Sequence, residues 1–183
     1  LIFIGQIKEL RMRVIYITSA LFLSLTMSFS AISIEKQHKA LITYENSEKP
    51  KIELTVYKSK NCGCCNKWIA HLSENNIQTK AINVNDMGTI KSQYQIKSNM
   101  RSCHTAVSAD GFVFEGHVPA KHIKQFLAEQ HPEKTIGLSV PAMPAGTPGM
   151  EMGDRFYKYN IEMLTHDLQQ NTYKHISKYA EQF

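Results

Sequence analysis

Little in this sequence is present in excess, and each shortage removes a class of function. Four cysteines in 183 residues are too few for a disulfide-dense scaffold. The formal charge of +5 is mild, and Lys8, Arg11 and Arg13 against Glu9 supply +2 of it within residues 1–30. The rest of the chain carries 18 basic and 15 acidic residues, a balance of +3 with no basic stripe and no interleaved aromatics, which argues against a nucleic-acid partner. There is no internal repeat and no second segment of transmembrane character. What is present is ordinary: 43% apolar residues, sufficient for the core of one domain.

The N-terminus reads as a targeting segment. Met12-Arg13 opens an apolar run with some Ser and Thr that reaches Phe29, with basic residues in front and small residues behind. This predicts a signal peptide over residues 1–30, cleaved near Ser30–Ile34, with residues 1–11 an upstream extension before Met12. The apolar core, about 16 residues, is short for a full span, and an uncleaved N-terminal anchor is the alternative. No cysteine follows the run, which excludes a lipoprotein leader. Residues 31–50 are polar without a period and read as a linker, leaving 51–183 as the ordered domain.

Within that domain, Ile52–Tyr57 predicts a strand, Cys65–Asn75 a helix and Gln78–Val84 a second strand. Asn85-Asp86 caps a helix from Met87 to about Ile96. Thr105–Ser108 and Phe112–Glu115 flank Asp110-Gly111, a strong hairpin signal. Pro119 opens a helix through Glu129. The order β-α-β-α-β-β-α is that of an α/β, thioredoxin-like fold. After Glu129 a Pro/Gly/Met-rich loop, Val140 to Met152, precedes a terminal β-hairpin of Tyr159–Thr165 and Thr172–Tyr179, with a helix over Ile161–Gln170 as the alternative.

The chemistry centres on Asn61-Cys62-Gly63-Cys64-Cys65-Asn66-Lys67-Trp68. Sulfur at the start of a helix is favoured as thiolate by free N–H groups and the positive dipole end. The strand order brings the loop holding Cys103 beside this run, so four sulfurs meet at one end of the sheet. Two disulfides are the plain reading of four cysteines in an exported chain, but thiols at 62, 64 and 65 cannot all pair locally without strain. A C-x-x-C pair alone suggests thiol–disulfide exchange. Against that, Cys64 lies inside the pair, and the residue before the third strand is not the proline that thioredoxins carry there in cis.

Four convergent thiolates suit a soft metal. Structural zinc sites usually spread their cysteines over two knuckles, whereas crowded C-x-C-C sulfurs more easily bridge several Cu(I) ions. An exported location argues against an iron–sulfur cluster. His104 either ligates or orients its loop. Met143 and Met150 either offer thioethers or fill gaps as the Met loop crosses the cysteine end of the sheet as a lid. Pro141, Pro144 and Pro148 stiffen that loop, and Gly146 and Gly149 permit its turns. His117 ends the fourth strand and reads as structural, and His38, His122, His131 and His175 form no usable spacing.

The segments Cys62-Gly63-Cys64-Cys65 with Lys67-Trp68, Ser102-Cys103-His104-Thr105-Ala106, Glu115-Gly116-His117-Val118-Pro119-Ala120 and Met143 to Glu151 resemble a bacterial family, the CopG-type periplasmic copper-resistance proteins. The resemblance covers about Lys51 to Glu151; the tail departs, because Asn160–Thr165 is more mixed than the apolar strand the family tends to have there. It implies a thioredoxin-like periplasmic protein with a multinuclear copper–thiolate cluster held by Cys62, Cys64, Cys65 and Cys103. It also implies a role in copper tolerance, with redox cycling of copper and thus a copper oxidoreductase activity. The expected partners are copper ions and other periplasmic copper-handling proteins, with no nucleic acid and no membrane after signal cleavage. A thiol–disulfide oxidoreductase and a copper chaperone are the alternative functions.

Overall fold

A computed structural model describes residues 51–167 and 171–183. The signal-peptide and linker expectations for residues 1–50 lie outside the described residues. Seven strands form one sheet: β1 Glu53–Lys58, β2 Gln78–Asn83, β3 Thr105–Ser108, β4 Val113–Glu115, β5 Thr135–Ser139, β6 Tyr159–Thr165 and β7 Asn171–Ile176. Among the described residues three α-helices accompany them: α1 Gly63–Glu74, α2 Met87–Gln93 and α3 Ala120–Ala128. The strand order is β2-β1-β3-β4-β5-β6-β7, with β1/β2 and β4/β5 parallel and the other neighbours antiparallel. No helix among the described residues is long and apolar enough to cross a membrane.

Alternation along the strands divides the core. On β4, Phe114 packs with Trp68 and Leu72 of α1, Ile123 and Phe126 of α3, and Leu54 and Val56 of β1. Its neighbour Val113 points the other way and packs with Ile96, Met100 and Leu164. Trp68 is fully buried and donates its Nε1–H to Val118 O at 2.9 Å, so its one polar group is satisfied. Truncating such a side chain to alanine typically costs about 3–5 kcal/mol. This contact seats α1, and therefore the cysteine run at its start, against the sheet.

The element ends have local causes. Helix α1 stops where Asn76 turns to φ +58 and Ile77 N bonds back to Leu72 O at 3.0 Å. Asp86 caps α2 by accepting from Gly88 N at 2.8 Å and Thr89 N at 3.2 Å. That helix ends at Gln93 rather than near Ile96, because Gln95 at φ +57 turns the chain. The Asp110-Gly111 turn joins β3 to β4, with Gly111 at φ +87.

Two sequence expectations are corrected. Sequence pattern alone passes straight from Glu129 to the Met loop, whereas Thr135–Ser139 inserts as β5 between β4 and β6. The final strand, expected to run to Tyr179, ends at Ile176, and Tyr179–Gln182 forms a short 3-10 turn. The helical alternative for 161–170 fails through Thr165, which completes β6; Leu168 to Gln170 lie outside the described residues.

Gly137 explains how β5 fits. A Cβ there would lie 1.8 Å from Val113 O, across the parallel β4–β5 pairing. Gly137→Ala is expected to cost about 3 kcal/mol or more, at the upper end of overpacking penalties, read as a fall in the denaturation midpoint.

Candidate metal centre

The pairing of β1 with β3 builds the site. Tyr57 near the end of β1 lies opposite Thr105 at the start of β3. The loop after β1 therefore rises beside the arm that leads into β3. The first brings Cys62, the N-cap of α1, with Cys64 and Cys65 in the first turn; the second brings Cys103. One ligand-capable atom from each of these four residues lies within 4.8 Å of the others. The sulfurs of Cys64 and Cys103 are 3.9 Å apart, and those of Cys62 and Cys64 3.5 Å apart.

Cys62 and Cys65 form a disulfide, while Cys64 and Cys103 are free thiols. The Cys62 sulfur also accepts from Cys65 N at 3.3 Å, so it caps the helix that carries its partner. Reduction of this one bond is needed before all four sulfurs become thiolates.

Two histidines complete the cluster on the Cys103 side. Cys103 Sγ lies 3.2 Å from His104 Nδ1 and 3.1 Å from His117 Nε2, and the three residues form a second compact group of donors. His117 gives its Nδ1–H to Pro148 O at 2.7 Å, which leaves Nε2 unprotonated and facing the sulfur. Sequence alone reads His117 as structural; the structure puts it in the centre. The signal was its place just beyond a strand whose residues are all buried, a burial the local sequence does not announce. His104 is fully buried, its ring 4.3 Å from that of Trp68, and its Nε2 has no hydrogen-bond partner.

Burial sets the protonation of these groups. Burial foremost, then the adjacent Cys64 sulfur, pushes the Cys103 thiol up to about 12. Burial also holds His104 well below the usual imidazole range, helped by the repulsion His117 would exert if it too were protonated and by the positive charge of Lys91. His117 is lowered by burial, against an upward pull from its bond to Pro148. Both rings are therefore neutral near pH 7, the state in which imidazole binds metal.

The Met loop does cross this end of the fold. Pro148 O meets His117, and Gly149, at φ +87, comes so close to α1 that a Cβ would lie 2.8 Å from both Cys64 O and Trp68 N. Gly149 N is held by Glu151 Oε1 at 2.8 Å. The covering contacts are thus made by backbone at Pro148 and Gly149. Met143, expected to shield the thiolates, is half exposed, as is Met152, while Met150 is partly buried.

The donor set fits a soft metal on these grounds: convergent sulfurs, and two neutral imidazoles each with a nitrogen within 3.2 Å of the Cys103 sulfur. A mixed α/β protein with a thiol-rich centre at the start of helix α1 is the class that fold and site define. A family model described as "Protein of unknown function, DUF411" matches residues 100–150. Two solved structures of the copper resistance protein CopG are similar along most of this chain. Form 1 is 38% identical, with a TM-score of 0.64, over 70% of this chain and 99% of that one. Form 2 is 38% identical, with a TM-score of 0.63, over 68% of this chain and 98% of that one. No curated protein matches. The chain belongs to the CopG-type family.

The Gly149 contact has a measurable consequence. Gly149→Ala is expected to lift the loop from α1 and speed alkylation of Cys64 and Cys103 by about ten-fold, the factor that a typical overpacking penalty produces. Mass spectrometry of iodoacetamide-treated protein reads this directly; unchanged rates would mean that the loop does not gate access.

Proposed function

We propose that the protein is an exported, thioredoxin-like Cu(I)-binding protein of copper resistance whose cargo is a multinuclear copper–thiolate cluster. Cys62, Cys64, Cys65 and Cys103 are its sulfur ligands, with His104 and His117 able to add imidazole nitrogen. The observation that carries this reading is the meeting of four sulfurs from two loops within 4.8 Å, in a chain 38% identical to CopG. Crowding matters to the choice of metal, because closely spaced thiolates bridge Cu(I) ions rather than isolate one. Residues 1–30 are the signal that delivers the chain to the periplasm, where other copper-handling proteins exchange copper with it.

The disulfide favours a redox role within the same reading. Oxidation of the Cys62 and Cys65 thiols to the disulfide releases two electrons and two protons, enough to reduce two Cu(II) to two Cu(I). The same bond also supports the rival reading, a thiol–disulfide oxidoreductase without metal. Anaerobic Cu(I) loading of the reduced protein followed by elemental analysis separates them. Several coppers per chain are expected; none, together with insulin-reductase activity, would establish the rival.

Cys62→Ser and Cys103→Ser are each expected to lower the copper load, because a hydroxyl is a hard donor that does not replace a bridging thiolate. Met152→Leu keeps volume at an exposed position and is expected to leave the load unchanged. Full copper in both serine variants would remove these residues from the ligand set.

Uptake should also be proton-linked. In the metal-free protein Cys103 stays a thiol up to about pH 12, so Cu(I) must displace its proton. Apparent Cu(I) affinity is expected to rise with pH across the neutral range, and Cys103→Ser to flatten that rise, as measured by competition with a Cu(I) chelator at several pH values.

A further inference from the structure

Glu115 is fully buried on β4, and nothing in the donor set above uses it. Its carboxylate nonetheless reaches both ends of the arm that carries Cys103. Oε1 accepts from Ser102 N at 2.6 Å, and Oε2 accepts from Thr105 Oγ1 at 2.6 Å. Ser102 and Thr105 bracket Cys103-His104, so one carboxylate grips the two-residue arm on either side. Lys91, from the last turn of α2 and also buried, supplies the counter-charge: its Nζ lies 2.5 Å from Glu115 Oε1 and 3.2 Å from Thr105 Oγ1.

From these contacts we infer that Glu115, paired with Lys91, is the positioning residue for Cys103, fixing its thiol against the Cys62–Cys65 turn. Two independent features support this. A buried ion pair is poor at stabilising a fold, since an apolar pair of the same volume often does as well or better. What the carboxylate offers here is directed acceptors for a particular backbone N–H and a particular hydroxyl. The arm also has no slack on the side facing β4: a Cβ on Gly116 would lie 2.5 Å from Ser102 Cβ and Oγ. On its other side, Ser102 Oγ donates to Ala142 O, which ties the arm to the start of the Met loop. The consequence for copper rests on the proposed function; the positioning itself does not.

Two double variants test it. Lys91→Met with Glu115→Gln removes both charges but keeps a carbonyl acceptor for Ser102 N. Lys91→Met with Glu115→Leu removes the charges and the acceptor together. The readout is the alkylation rate of Cys103 relative to Cys64 in the same metal-free molecule, a ratio that a general loss of stability does not move. The Gln variant is expected to keep the wild-type ratio and the Leu variant to raise it by about ten-fold, the scale of leaving one buried N–H without an acceptor. Copper load and the thiolate-to-copper absorption should follow the same division. Equal ratios in the two variants would overturn the proposal.

Ser102→Pro keeps the ion pair and deletes the donated N–H together with the hydroxyl that donates to Ala142 O, and the extended Arg101 before it, at ψ 147°, is compatible with proline. With Ser102→Ala as the control for the lost hydroxyl, Ser102→Pro should also raise the ratio, and an unchanged ratio would count against the proposal. A wild-type protein that takes up no copper would refute the functional reading alone, because the alkylation ratio tests positioning in the metal-free protein.

Discussion

The antiparallel pairing of β1 with β3 is the contact on which everything at the cysteine end depends. Cys62 and Cys103 are far apart in sequence, and closing a loop of that length has an entropic cost that local propensity cannot offset. The ladder from Leu54–Ser108 to Tyr57–Thr105 offsets it with backbone hydrogen bonds made in the core of the sheet. Slipping this register by one residue would turn Leu54 and Val56, both fully buried, to the opposite face. Apolar burial therefore fixes a register that in turn fixes the distance between two sulfurs.

The centre so formed is unusual in polarity. On its inner side lie a fully buried imidazole and a fully buried indole; on its outer side, loop backbone at Pro148 and Gly149 closes over it. Burial keeps both histidine rings neutral and the Cys103 sulfur protonated. These three groups are thus uncharged at rest, and charge reaches them only with a proton leaving or a cation arriving. The ion pair of Lys91 and Glu115 stands beside it as a closed, mutually neutralised unit.

Much of this is legible in the sequence, for definable reasons. The order of elements through α3 follows from periodicity and from caps such as Asp86, and that order is enough to put Cys103 beside the C-x-C-C run. Strand β5 is not legible because it is short, lies between Pro132 and Pro141, and carries a glycine whose missing side chain is what permits the parallel pairing. The place of His117 beside Cys103 is not legible in the sequence because it depends on the carbonyl of Pro148, 31 residues later, which orients its ring. The Lys91–Glu115 pair is invisible for the same reason: its two members, 24 residues apart, meet only once the tertiary fold is set. The oxidation state of Cys62 and Cys65 lies beyond sequence altogether, since one spacing serves both a dithiol and a disulfide.

Trp68 is the sole tryptophan of the chain. Its ring lies 4.3 Å from that of His104, and His104 Nδ1 lies 3.2 Å from the Cys103 sulfur. The indole anchors α1, yet it also makes the centre self-reporting. All indole fluorescence from the molecule originates within van der Waals range of an imidazole that touches the thiol cluster. Protonation of that ring, opening of the disulfide or arrival of a heavy ion would each act on a single emitter with no background from a second. The protein carries its own optical gauge, positioned by the same packing that holds the fold together.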